Sequence, residues 1–141
     1  MSTIMIVGAT RGIGLELTKQ YANEGNQVIA CARDTANASL LNEIASSSDS
    51  IKIEQLDIAD AGSIESASSR IGEEAIDSVI IVAGWVGGMP DNQTIDNIDI
   101  DENDNTLNIN TIGPLLVAKA FKSNLAASGN GNLMILSSQL A

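Results

Sequence analysis

Three glycines near the N-terminus stand at a spacing that suits a phosphate. The segment Gly8-Ala9-Thr10-Arg11-Gly12-Ile13-Gly14 follows an apolar run at 3–7. It opens a stretch with apolar residues at helical spacing, Ile13, Leu17 and Tyr21. A glycine motif at a strand-to-helix turn has a physical use. Gly8 lets the chain leave the strand in a tight turn. Gly12 lets the backbone approach a pyrophosphate, and Gly14 lets the helix pack closely on the sheet. Unpaired N–H groups at the helix mouth, with their partial positive charge, would face the phosphates. Gly8, Thr10, Arg11, Gly12, Ile13 and Gly14 are therefore candidate residues for binding a dinucleotide.

The second strand bears on which dinucleotide. A site for NAD(H) places an acid at that strand's end to accept from the ribose hydroxyls. In Gln27-Val28-Ile29-Ala30-Cys31-Ala32 the place falls on Ala32. Arg33 comes next, and Arg11 sits in the glycine loop. Two guanidiniums here would bracket a 2′-phosphate, each contact contributing roughly 1.5–3 kcal/mol. NADP(H) is thus expected over NAD(H), with Arg33 in the binding set. Asp34 is the competing signal: were it to face the ribose in place of Arg33, NAD(H) would fit better.

Composition removes other chemistries. The chain has 141 residues, no histidine and one cysteine, Cys31. Ser-His-Asp and Cys-His nucleophile systems are excluded, and no zinc site is expected. Asp99, Asp101 and Asn103 have calcium-loop spacing, but Asp104 stands at the glycine position and Asn110 at the final Glu position. No metal is expected, and that acidic stretch reads as a solvated helix entry. A net charge of −11 argues against nucleic acid or an anionic membrane as partner. No apolar run approaches the ~20 residues of a membrane span. A lone cysteine and no basic-then-apolar leader point to a reducing, cytoplasmic location.

Elements that would position these residues alternate along the chain. Strands are expected at 3–7, 27–32, 51–56, 76–82 and 133–136. Helices are expected at 13–23, at 38–45, from a cap at Asp60 to about Ile71, and at 103–127, with a kink at Gly113-Pro114. A polar loop covers 85–101. Alternation of this kind, with right-handed crossovers, gives a parallel sheet between two layers of helices. The expected fold is a Rossmann-type αβα domain over residues 1–141 with strand order 3-2-1-4-5. The core is rich in Ile, Val, Leu and Ala, and there is only one Phe, one Trp and one Tyr. That suits a sheet buried on both faces.

The loop spacing Gly8 to Gly14 resembles the cofactor loop of the short-chain dehydrogenase/reductase family, and further matches follow in order. The family usually has Thr before the first glycine; Val7 stands there. Leu56-Asp57-Ile58 resembles its adenine-binding turn. The resemblance implies that Asp57 accepts from the adenine amino group and that the Ile58 backbone lies beside the ring. Ile81-Val82-Ala83-Gly84 stands where the family has Asn-Asn-Ala-Gly. Ala83 and Gly84 keep the close approach to the adenine ribose, while the two bracing Asn side chains are replaced by apolar ones. Asn108 to Pro114 resembles the fourth-helix signature, which gives Asn110 the family's active-site role of holding a kinked helix and binding the water of a proton relay. Gly131 to Ser138 resembles the fifth strand, and Ser138 takes the place of the Ser that orients the substrate carbonyl.

The resemblance implies an NADP(H)-dependent oxidoreductase that moves hydride to or from a small carbonyl or alcohol. It also implies a proton-donating Tyr beyond that Ser, with a Lys one turn later. The sole tyrosine, Tyr21, is followed at the fourth place by Gly25. The expectation is a C-terminally truncated member, with an incomplete sheet and no turnover on its own. Apolar surface on the fourth and fifth strands is expected to drive homo-oligomerisation. The alternative is a non-catalytic NADP(H)-binding or sensing module acting through a partner or through self-association.

Overall fold

A computed structural model describes residues 1–88 and 94–138. The order is β1 (Thr3–Val7), α1 (Gly12–Asn23), β2 (Gln27–Ala32), α2 (Ser39–Ser46), β3 (Ile51–Gln55), α3 (Ala61–Ile71) and β4 (Ser78–Ile81). A short 3-10 turn (Ile95–Asn97) then leads to α4 (Ile100–Leu107), a π-helical turn (Asn108–Ile112), α5 (Gly113–Ala120), α6 (Lys122–Ala127) and β5 (Asn132–Ile135). Part of the polar loop expected at 85–101, residues 89–93, lies outside the described residues.

The five strands form one parallel sheet in the order β3-β2-β1-β4-β5, the doubly wound order expected. Successive side chains in a strand point to opposite faces, so each strand feeds two cores. Met5, Val7, Ile29, Cys31, Val79 and Ile81 pack beneath α3 and α5 with Ile64, Val117 and the single Phe, Phe121. Ile4, Ile6, Val28, Ala30 and Ile80 pack on the other face with Leu15 of α1 and Leu41 of α2. The positions that lost their family polar residues are braced by other means. Val7 pairs in register with Ile81, and both are buried in one cluster. The Val7 carbonyl accepts from the amides of both Val82 (2.9 Å) and Ala83 (3.0 Å).

The long helix expected at 103–127 is irregular, as expected, and is corrected in two respects: it begins earlier, at Ile100, and its distortion precedes Gly113-Pro114. Asp99 starts it by accepting from the Glu102 amide at 3.2 Å. The irregularity lies one turn before Pro114, at 108–112. A proline lacks the donor for the preceding turn and crowds its carbonyls, and a wider π turn makes the room. A second break at Phe121 lets that ring drop into the core.

β5 is covered differently from the other four strands. Leu133, Met134, Ile135 and Leu136 are 39–49% exposed, whereas the inner residues of β1, β2 and β4 are buried. In register, Leu133 and Ile135 share a face with Val79 and Ile81, and Met134 shares the other with Ile80.

Candidate functional site

The strands β1, β2, β3 and β4 end at one edge, and the loops leaving them enclose a cleft of about 670 Å³. Its floor is the glycine loop. Gly8 has φ +97°, a left-handed conformation that favours glycine, and a Cβ there would lie 2.7 Å from the Ala83 amide nitrogen. The same residue donates to the Cys31 carbonyl at 3.2 Å, as Ala9 does at 3.0 Å. The loop is thereby tied to β2 and pressed against the end of β4. Gly14 has a packing role: a Cβ there would lie 2.0 Å from the Gly8 carbonyl oxygen. Gly12 has φ +53° and open space where a Cβ would stand.

α1 begins directly on this floor. No side chain caps it, and no acid lies in its first turn. Its leading amides and the positive end of its dipole therefore remain for an anion in the cleft. The geometry fits a diphosphate: the uncapped start of α1 opens onto a floor that Gly12 leaves clear and that Gly8 lets pack against Ala83.

Ten of the sequence-predicted binding residues line this cleft: Gly8, Thr10, Arg11, Gly12 and Ile13 from the loop, Arg33 after β2, Asp57 and Ile58 after β3, and Ala83 and Gly84 after β4. Gly14, Asn110 and Ser138 do not. Arg11 and Arg33 are exposed, and the ion pair found among the described residues lies elsewhere, between Arg70 and the buried Glu54 at 2.6 Å. Ile58 is buried. Asp57 is half-buried; it caps its own turn by accepting from the Ala59 amide at 3.0 Å, and its own amide donates to the Ser63 hydroxyl at 2.9 Å.

Asp34 and Asn37 also line the cleft. Asp34 Oδ1 accepts from the amides of Ala36 (3.1 Å) and Asn37 (3.2 Å), and its Oδ2 accepts from Asn37 Nδ2 at 2.6 Å. The Asn37 side chain and then its backbone amide hold the Asp34 carboxyl below its ordinary pKa. The competitor to Arg33 is thus closed into a local turn. Asn37 was missed in the sequence; the Asp-x-x-Asn spacing of a side-chain-capped turn was the available signal.

Asn110 sits in the π turn, and both ends of its amide grip one residue. Its Oδ1 accepts from the Trp85 amide at 2.9 Å, and its Nδ2 donates to the Trp85 carbonyl at 2.6 Å. The Trp85 indole N–H donates to Glu102 of α4. Asn110 therefore fastens the loop after β4 to the distorted helix. Ser138 follows β5 on an exposed stretch, away from the glycine-loop cleft. A larger cavity of about 990 Å³ lies beside α4, lined by 86–88, 97–100, Glu102, Asn103 and Thr106, and holds neither Gly8, Gly12 and Gly14 nor the two guanidiniums.

The short chain dehydrogenase family model matches residues 2–141. A short-chain dehydrogenase of Pyricularia oryzae is 28% identical over 141 residues, covering 97% of this chain and 56% of that protein. A carbonyl reductase from Pseudomonas aeruginosa, solved in complex with NADP, superposes with a TM-score of 0.90 at 32% identity, over 100% of this chain and 60% of that one. An NADPH-bound carbonyl reductase from chicken fatty liver gives a TM-score of 0.79 at 28% identity, over 89% of this chain and 48% of that one. The chain spans about half the length of the curated relatives it matches. Among the described residues, no helix is long and apolar enough to cross a membrane.

Proposed function

From the premise that the chain belongs to the short chain dehydrogenase family of oxidoreductases, we propose that residues 1–141 are an NADP(H)-binding domain of Rossmann type. The diphosphate lies on the amides of Gly12, Ile13 and Gly14 at the start of α1. Arg11 and Arg33 bracket the 2′-phosphate. Asp57 and the Ile58 backbone receive the adenine, and Ala83 and Gly84 pass beside its ribose. The observation that carries this reading is that two arginines, Arg11 and Arg33, line the cleft, with the neighbouring acid, Asp34, already engaged by Asn37. The NADP and NADPH in the two similar carbonyl reductases support the same choice.

Bound NADP(H) supplies the hydride chemistry; the chain's own residues bind and orient it. In its complete form the activity is hydride transfer to or from a small carbonyl or alcohol. Ser138 then orients the substrate carbonyl, and Asn110 holds the loop and the distorted helix beneath it. Proton transfer needs a donor at the substrate oxygen. The one tyrosine, Tyr21, lies in α1, and Gly25 occupies the fourth place after it. These 141 residues by themselves therefore bind the coenzyme and turn over no carbonyl. We further propose that the chain self-associates through the exposed apolar residues of β5, and that it works in the cytoplasm.

Coenzyme titration of the wild-type chain and of Arg11→Ala and Arg33→Ala tests this reading. Each substitution is expected to weaken NADPH about tenfold or more, the worth of one charge-assisted hydrogen bond, with little change for NADH. Equal losses for the two coenzymes would remove the 2′-phosphate assignment.

A further inference from the structure

We infer that Asn37 is a positioning residue that sets coenzyme preference, by holding the Asp34 carboxylate in a closed turn and off the ribose end of the cleft. The inference rests on the NADP(H) reading above and deepens it. Asp34 immediately follows Arg33, and both line the same cleft as Arg11 and Asn37. An acid at this end of β2 is what favours a bare 2′-hydroxyl, which donates to it, and disfavours a 2′-phosphate, which it repels. The chain carries such an acid yet has spent it locally. Two of its hydrogen bonds come from backbone amides of its own turn, at 3.1 and 3.2 Å. The third and shortest, 2.6 Å to Oδ2, comes from the Asn37 side chain.

That third bond is the one that a side-chain change controls. Without it, Oδ2 is open to a ribose hydroxyl or to the adjacent Arg33 guanidinium. Either outcome weakens a 2′-phosphate site, the first by turning an existing negative charge toward it and the second by engaging the positive charge that would hold it. Asn37 is exposed, so its truncation creates no cavity in the core.

The test is a four-variant cycle of coenzyme affinity, using the fluorescence of NADPH and NADH with the 141-residue chain: wild type, Asn37→Ala, Asp34→Ala, and both together. Asn37→Ala is expected to lower the preference for NADPH over NADH about tenfold, the scale of one charge-assisted hydrogen bond. In the Asp34→Ala background the same change is expected to leave the preference unaltered, because no carboxylate remains to release. An unchanged preference in Asn37→Ala would overturn the inference alone. So would an equal drop in the Asp34→Ala background, since Asn37 would then be contacting the coenzyme itself. A wild-type chain that binds neither coenzyme, or favours NADH, would overturn the NADP(H) reading and this inference with it.

Discussion

At the scale of single residues, the site depends on atoms that are not there. A Cβ on Gly14 would sit 2.0 Å from the Gly8 carbonyl oxygen and 2.9 Å from its carbon. Backbone cannot yield as a flexible side chain does, so Gly14→Ala is expected to cost at least about 2 kcal/mol and to displace the amides at the mouth of α1. Thermal unfolding and NADPH titration of that variant check both effects; native stability and native affinity together would contradict the packing described. Cys31 offers a second test at this scale. Its side chain is 0% exposed, and burial first, then Glu54, pushes its thiol far above the ordinary value of 9.0. A raised acid stays protonated in the folded chain while the unfolded chain ionises. Its contribution to stability is therefore full below about pH 9 and falls as pH rises beyond that. A thiol reagent is expected to label Cys31 only at the rate of unfolding, which labelling across a denaturant series measures. The glycine spacing was legible in the sequence because each glycine answers a local demand of a strand-to-helix turn. The engagement of Asp34 was not, because it depends on where one Asn side chain points.

At the scale of elements, periodicity gave the first three strands and α1 to α3 to within about two residues at their ends, as hydrophobic patterning usually does. Asp60 was readable as a cap and accepts from the amides of Gly62 (2.8 Å) and Ser63 (3.3 Å). Asp60→Ala is expected to destabilise the chain by about 1 kcal/mol, measured by denaturant unfolding, with coenzyme preference unchanged. The distorted helix was legible only in part. Gly113-Pro114 announced an irregularity, but its form as a π turn ahead of the proline is set by tertiary contact. A Cβ on Gly113 would meet the Ile58 carbonyl oxygen at 2.4 Å, so the helix approaches the turn after β3 at the limit of backbone contact. Gly113→Ala is therefore expected to push α5 away from Ile58 and to weaken coenzyme binding as well as stability. A variant that loses stability but keeps its NADPH affinity would uncouple the helix from the adenine end of the cleft.

For the whole molecule, the sheet is completed on both faces around β1 and β2 and left open at β5. Leu133 and Ile135 on one face and Met134 on the other carry apolar surface that a buried strand would cover. Sedimentation over a concentration series is expected to show association, and Leu133→Lys with Ile135→Lys is expected to reduce it; a monomer at every concentration would contradict that proposal. Strand order and fold class were legible because alternating strands and helices with right-handed crossovers leave few topologies. Exposed apolar surface was expected on both the fourth and the fifth strand; β5 has it, but β4 does not, because α3, α5 and α1 cover Val79, Ile80 and Ile81. Neither the composition nor the spacing reveals a substrate, since the residues that line the cleft are those proposed to hold the coenzyme.

The central claim is that amides at the mouth of α1 hold a dinucleotide diphosphate. Amide resonances of the isotopically labelled chain, followed during NADPH addition, test it most directly. The expected result is a saturating shift of Gly12, Ile13 and Gly14, with Arg33 and Asp57 moving at the same concentrations. Unmoved resonances at Gly12 to Gly14 under saturating NADPH would contradict the claim, even if signals elsewhere responded.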